Sequence, residues 1–350
     1  MATFRLIVLA SLLSLIAKGS NVFADPPEPI EPTNEQLQVA QASLQKTRIR
    51  FVPPRHGEVF GEFRHVLGNQ RGMHGSSFEV RDSDVEAIPD LPFVFGLSIN
   101  HRHKSSRSHF SRDGLKSLRK LTNLHYLRVH QPDLGDSWLA EIANLEQLTS
   151  LDVWGEVVTN AGLHELTKLN QLTTLKLKCG GITDAGLDDI KQFTHLTTLA
   201  LLSQRITDAG LKAVGECKTL ASLELTSCQI TGTGLKELKK LDNLATLNLG
   251  FNKNLTGGLH DLAELESLTT LYLNSSEITD ADLKDIKELN NLTALYLSHN
   301  LKITDAGLNE LAELKNLRKL FIHVTSITRA GVNDLKKSLP ETTVVSDPRE

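Results

Sequence analysis

A leucine returns at every twenty-fourth position along most of this chain. Leu148, Leu172, Leu196, Leu220, Leu244, Leu268 and Leu292 are evenly spaced, and the next step, to Leu317, is one residue longer. Each opens a segment of one pattern: LTSLDV (148–153), LTTLKL (172–177), LTTLAL (196–201), LASLEL (220–225), LATLNL (244–249), LTTLYL (268–273), LTALYL (292–297) and LRKLFI (317–322). Upstream, LHYLRV (124–129) keeps the period, whereas VFGLSI (94–99) precedes it by a longer step. A second hexamer punctuates the chain between these segments. ITDAGL occurs at 182–187, 206–211 and 303–308, with the variants VTNAGL (158–163), ITGTGL (230–235), ITDADL (278–283) and ITRAGV (327–332). A length of 350 residues would ordinarily mean two domains. The fixed period overrides that expectation, because repeat architectures grow by adding units and not by enlarging one core.

Each unit holds two hydrophobic periods. In LTTLYL, Leu271 and Leu273 alternate with Thr270 and Tyr272, the period of a strand with one buried face. In ITDADLKDIKELNN, Ile278, Leu283, Ile286 and Leu289 recur at steps of three to five, the stripe of an amphipathic helix. Thr279 is placed to cap that helix and Asp280 to face its positive end. Ala-Gly lets neighbouring helices approach closely. One strand and one helix cannot bury their apolar faces alone, but stacked copies can. Strands pair about 4.8 Å apart and helices pack about 10 Å apart, so the stack curves with its strands inside. The expected fold is a right-handed α/β solenoid of about ten repeats, a horseshoe with a parallel sheet on the concave face and helices on the convex face.

The pattern L-x-x-L-x-L followed by I-T-D-A-G-L resembles the leucine-rich repeat family in its helix-bearing, ribonuclease-inhibitor-like form. Residues 217–228, CKTLASLELTSC, are similar to the cysteine-containing subtype of F-box-associated and exported bacterial repeat proteins. The resemblance spans about 80–345 and implies the horseshoe fold with a recognition role. In other units the place of Cys228 falls to Glu156, Gly180, Gln204, Asn252, Ser276 and Asn300 by spacing. No F-box precedes the repeats, so an adaptor role in ubiquitin ligation is not implied.

The ends read differently. MATFR, the apolar run Leu6–Ala17 and VFA before Asp25 have the layout of a cleavable export signal over 1–24, cut after Ala24. That run is shorter than the roughly 18 apolar residues a membrane anchor needs. The mature chain is expected to be secreted or periplasmic, with no membrane span. DPPEPIEP (25–32) reads as an extended linker, 33–79 as an N-terminal helix capped by Thr33 plus a cap region, 80–345 as the repeat domain and 346–350 as a tail. Cys179, Cys217 and Cys228 are too few for a disulfide framework; buried thiols and a Cys217–Cys228 bridge both remain open.

Loss of Arg5 and Lys18 takes the formal charge from −4 to −6, yet 48–128 holds 14 Lys and Arg against 8 Asp and Glu. The loop at 100–110, NHRHKSSRSHF, is strongly basic, and insertions in solenoids emerge on one face. Arg102, Lys104 and Arg107 are candidate anion contacts for a polyanion; they would also repel a metal from the neighbouring histidines, which lack ligand spacing. No cofactor, specific nucleic-acid site or metal is expected. No G-x-S-x-G, P-loop or H-E-x-x-H motif occurs, so a non-catalytic role is expected.

Side chains alternate across a sheet, so one residue per strand faces the concave surface. That row reads Arg128, Asp152, Lys176, Ala200, Glu224, Asn248, Tyr272, Tyr296, Phe321. Aromatic residues favour strands in any case, but three consecutive rings at one position also make a contact patch, since rigid rings offer area at little entropic cost. The expected partner contacts are Tyr272, Tyr296, Phe321, His299, His323, Asn248, Arg128, Trp154 and Lys176, with a protein as partner. The alternatives are an anion-binding module acting through the basic third and a structural component of a cell envelope.

Overall fold

The computed structural model describes residues 33, 36, 38, 49–52, 62–65, 81–91, 93–100 and 110–347. The export signal and linker read at 1–32 lie outside these residues, as do the basic loop residues Arg102, Lys104 and Arg107. Of the helix read at 33–47, Thr33, Gln36 and Gln38 are described. The Gln36 amide donates to Thr33 Oγ1 at 3.2 Å and the Thr33 amide to Gln36 Oε1 at 2.8 Å. This is a reciprocal cap. Among the described residues no helix is long and apolar enough to cross a membrane.

Pro32–Glu350 is one compact unit. Among the described residues thirteen strands follow one another through one sheet in chain order: β1 (Ile49–Val52), β2 (Glu62–His65), β3 (Phe95–Asn100), β4 (Leu124–His130), β5 (Ser150–Trp154), β6 (Thr174–Lys178), β7 (Thr198–Leu202), β8 (Ser222–Leu225), β9 (Thr246–Asn248), β10 (Thr270–Tyr272), β11 (Ala294–Tyr296), β12 (Lys319–Phe321) and β13 (Thr343–Val345). β1 and β2 are antiparallel; from β2 onward every neighbour is parallel. The unit is the α/β horseshoe solenoid expected from the period. Leu127, Leu151, Leu175, Leu199, Leu223, Leu247, Leu271, Leu295 and Leu320 occupy one register position and are fully buried. Burial of each such side chain stabilises the fold by roughly 1.5–3 kcal/mol.

The convex segments are helices, as expected, and of two kinds. Asn160–Leu166, Asp208–Val214, Asp280–Ile286 and Arg329–Ser338 are α-helices, but Asp184–Gln192, Gly232–Lys240 and Leu259–Glu264 are 3-10 helices. The two classes bury the same pairs, Leu187 with Ile190 in one and Leu211 with Val214 in the other. Residues three apart share a face in both helix types, so the apolar stripe does not distinguish them.

The Thr-Asp pair does more than start a helix. Asp184 accepts from the Thr207 amide at 2.8 Å and the Thr207 hydroxyl at 2.7 Å, while Thr207 Oγ1 accepts from the Ala209 amide at 3.2 Å. Thr207 therefore caps its own helix and hooks onto the preceding unit. The same two-bond rung joins Asp136 to Thr159, Asp208 to Thr231, Asp280 to Thr304 and Asp305 to Thr328. The hexamer glycine fits beneath it: a Cβ on Gly210 would lie 2.6 Å from Asp184 Oδ1. ITDADL is the exception that explains the rule. The unit before it carries Gly257 and Gly258 where the rung aspartate would be, and Asp282 stands in the glycine place. Asp282 accepts from the Gly257 amide at 2.9 Å and from the Thr279 amide and hydroxyl at 2.9 and 2.8 Å, so the rung is built from the other side.

The buried position after each strand also departs from the spacing argument. Gly155, Cys179 and Ser203 fill it, whereas Glu156, Gly180 and Gln204 are exposed. Strands β5 to β7 run five residues and reach this position two residues past their last inward apolar residue. From β8 onward it lies three past, at Cys228, Asn252, Ser276, Asn300 and Thr325. Cys179, Cys217 and Cys228 are free and buried, so the disulfide alternative is not realised. Burial pushes their thiols up to about 12, 11 and 11, far from the reactive thiolate range.

Candidate partner-binding surface

Parallel pairing aligns the concave row in one register, Arg128–Asp152–Lys176–Ala200–Glu224–Asn248–Tyr272–Tyr296–Phe321. At its C-terminal end the three rings stack. Tyr272 and Tyr296 lie 4.1 Å apart between centroids at 16°, and Tyr296 and Phe321 4.4 Å apart at 7°. All three are half-buried. Their facing sides cover one another, and their edges form an aromatic ridge along the inner wall, two of the rings carrying a phenol hydroxyl. Burial, and after it the neighbouring Tyr296 hydroxyl, raises the Tyr272 phenol, so it remains a neutral donor at physiological pH.

The N-terminal end of the row is charged. Asp152, only 5% exposed, receives Arg128 Nε at 2.7 Å and His130 Nε2 at 2.9 Å. Burial works to raise the Asp152 carboxyl, but the hydrogen bonds and charges of His130 and Arg128 outweigh it and hold the group below the ordinary carboxylate range. Trp154 packs edge-on to His130 at 6.3 Å. Arg128 and Trp154 thus belong to a structured polar cluster whose centre, Asp152, was not among the expected contacts. Opposite charges at one face position in adjacent units were the signal that could have found it.

This cluster sets a pH dependence. The folded value of Asp152 lies below its unfolded value, so its stabilisation is complete above about pH 4 and lost as pH falls through the depressed folded value. Asp152→Asn is expected to lower the melting temperature at about pH 5, with the gap to wild type shrinking towards about pH 3. A gap of constant size would show that the carboxylate charge is not what the cluster uses.

The remaining expected contacts divide. Lys176 lies on the row beside Asp152, and the ammonium groups of Lys176 and the exposed Lys178 have no hydrogen bond or ion pair among the described residues. Asn248 is partly spent on its own turn, its Oδ1 accepting from the Gly250 amide at 3.0 Å. His299 and His323 sit beyond the strands. His299 is exposed, with its amide donating to the His323 carbonyl at 2.8 Å; His323 Nδ1 is 3.4 Å from Asp347. They follow the strands that carry Tyr296 and Phe321.

A family model described as leucine-rich repeat matches residues 216–239 and 288–312. Each stretch contains one strand segment and one hexamer, so these units are leucine-rich repeats. No curated protein sequence matches the chain. Among solved structures, an internalin of Listeria monocytogenes is similar over 94% of this chain and 100% of its own, with 19% identity and a TM-score of 0.53. Internalin C2 of the same organism covers 59% of this chain and 83% of its own at 28% identity and a TM-score of 0.45. A leucine-rich repeat protein of Leptospira interrogans covers 75% and 86% at 18% identity and a TM-score of 0.37.

Proposed function

We infer that this leucine-rich repeat protein is a non-catalytic recognition protein that binds another protein on its concave face, outside the cytoplasm of the cell that makes it. The observation that carries this reading is the Tyr272–Tyr296–Phe321 stack. Three rings in register present their edges on a wall that the repeats hold rigid. A preformed surface has little ordering cost on association, and aromatic residues and arginine are the side chains that dominate protein contacts. The ITDAGL hexamers and the CKTLASLELTSC unit support placing the repeats in the ribonuclease-inhibitor-like, cysteine-containing type.

A photo-reactive phenylalanine analogue at position 296 tests the reading, with one at Lys212 on the convex side as control. Exposed to an extract of the producing cell's envelope and medium, the first is expected to cross-link a discrete protein and the second not to. Equal labelling from both positions would contradict concave-face recognition.

A further inference from the structure

The strand exits beside the ring stack share an unfavourable backbone. Ser227, Phe251, Ser275, His299 and Val324 have φ of 54°, 63°, 56°, 64° and 54°. This left-handed conformation costs a non-glycine residue about 1–2 kcal/mol, and valine, being β-branched, is especially ill-suited to it. Hydrogen bonds hold it: the Phe251 amide donates to the Asn274 carbonyl of the next unit at 2.8 Å and the Val324 amide to the side-chain Oδ1 of Asp347 at 2.8 Å. Two of these strained residues also hold large apolar side chains in solvent, Phe251 at 54% exposure and Val324 at 40%. Leu301 follows at 58%, so three of the four exposed large apolar residues among those described lie on the exits of β9, β11 and β12. Strain and apolar exposure both disfavour the free molecule, and covering this rim would offset the second.

The opposite end of the wall carries the uncommitted ammonium groups of Lys176 and Lys178. Between the two ends, Ala200 and Leu202 make an apolar step, and the Glu224 carboxylate, which accepts from the Thr226 hydroxyl at 3.0 Å, has no cation partner among the described residues. Glu224 stands against a polyanion lying along the row. The rings, closed face to face, leave no gap for a nucleobase or sugar to stack into. Apolar side chains laid on ring edges fit.

We propose that the occupant is an extended segment of a partner polypeptide, with a carboxylate at Lys176 and Lys178 and large apolar side chains on the ring ridge and the Phe251–Val324 rim. This rests on the concave-face recognition reading above. From β6 to β10 there are four strand spacings, about 19 Å, which an extended chain crosses in about six residues. The segment therefore carries its acid about six residues from its first apolar anchor.

A phage-displayed library of random peptides, selected on the full chain, tests this. Enriched peptides are then measured by fluorescence anisotropy against two double variants, Lys176→Glu with Lys178→Glu and Phe251→Gly with Val324→Gly. Glycine relieves the left-handed strain, so the second pair is expected to keep or raise the melting temperature, and a folding failure cannot imitate a binding loss. The expected consensus places Asp or Glu about six residues from an apolar pair, with each double variant weakening binding at least about tenfold. Apolar peptides that ignore the lysine variants would overturn the acid–apolar segment while leaving concave-face recognition standing. Absence of enrichment, or binders indifferent to both variants, would also overturn the segment. Failure of cross-linking from position 296 would remove the recognition reading beneath it.

Discussion

Asn300→Ala is expected to destabilise the solenoid by about 4 kcal/mol, more than loss of the Asn252 or Ser276 side chain at the same place in the two preceding units. Asn300 is fully buried, and its amide group binds four backbone groups from two units. Nδ2 donates to the Leu273 and Leu297 carbonyls at 2.8 and 2.7 Å, and Oδ1 accepts from the Ser276 and Ile278 amides at 3.1 and 3.0 Å. Alanine leaves these groups buried without that partner, and each costs about 1–3 kcal/mol, moderated where water enters or a carbonyl has a second bond. The Ser276 hydroxyl in the preceding unit binds only the Leu249 and Asn274 carbonyls, at 3.1 and 3.2 Å, so Ser276→Ala is expected to cost markedly less. Urea unfolding of the two variants measures both. A cost below about 1 kcal/mol for Asn300→Ala would show that solvent replaces the amide freely.

Gly210→Ala is expected to cost about 1–3 kcal/mol through overpacking, and the cost is expected to vanish largely when Asp184 is also alanine. The new Cβ would lie 2.6 Å from Asp184 Oδ1 and 2.7 Å from Leu187 Cδ1, and the carboxylate is fixed by its two bonds to Thr207. Asp184→Ala alone loses those bonds and should cost about 3 kcal/mol. In the double variant the carboxylate clash is absent, leaving the Leu187 contact to be absorbed by side-chain movement. The double cost should therefore fall below the sum of the single costs by about 1–2 kcal/mol. The chain already contains this exchange at Gly258 and Asp282. Additive costs would mean that the hexamer glycine is there for some reason other than the rung.

The period, the buried leucines and the concave row were legible in the sequence because each depends on one residue per unit at a fixed step. Parallel pairing in register then brought Tyr272, Tyr296 and Phe321 face to face. Other features were hidden for identifiable reasons. The Asp184–Thr207 rung joins residues 23 apart in different units, whereas Thr-Asp at a helix start reads locally as a cap. The left-handed exits at Phe251 and Val324 run against residue preference, since hydrogen bonds to the Asn274 carbonyl and the Asp347 side chain hold the backbone there. The shift from Gln204 to Ser203 at the buried post-strand position follows from strand length, which the leucine spacing does not encode. Asn248 was legible as a row member but not as the acceptor for Gly250, because a short polar side chain turns as readily to its own backbone as outward.

The most direct test compares stability with partner binding in Tyr296→Ala, using the protein captured by cross-linking from position 296. Removing the central ring breaks two stacks, each worth about 0.5–1.5 kcal/mol, so a loss of about 1–3 kcal/mol is expected, with partner affinity falling at least about tenfold in the fully folded variant. A loss as large as that of Asn300→Ala, with partner affinity unchanged, would assign the rings to packing and contradict their role as the contact surface.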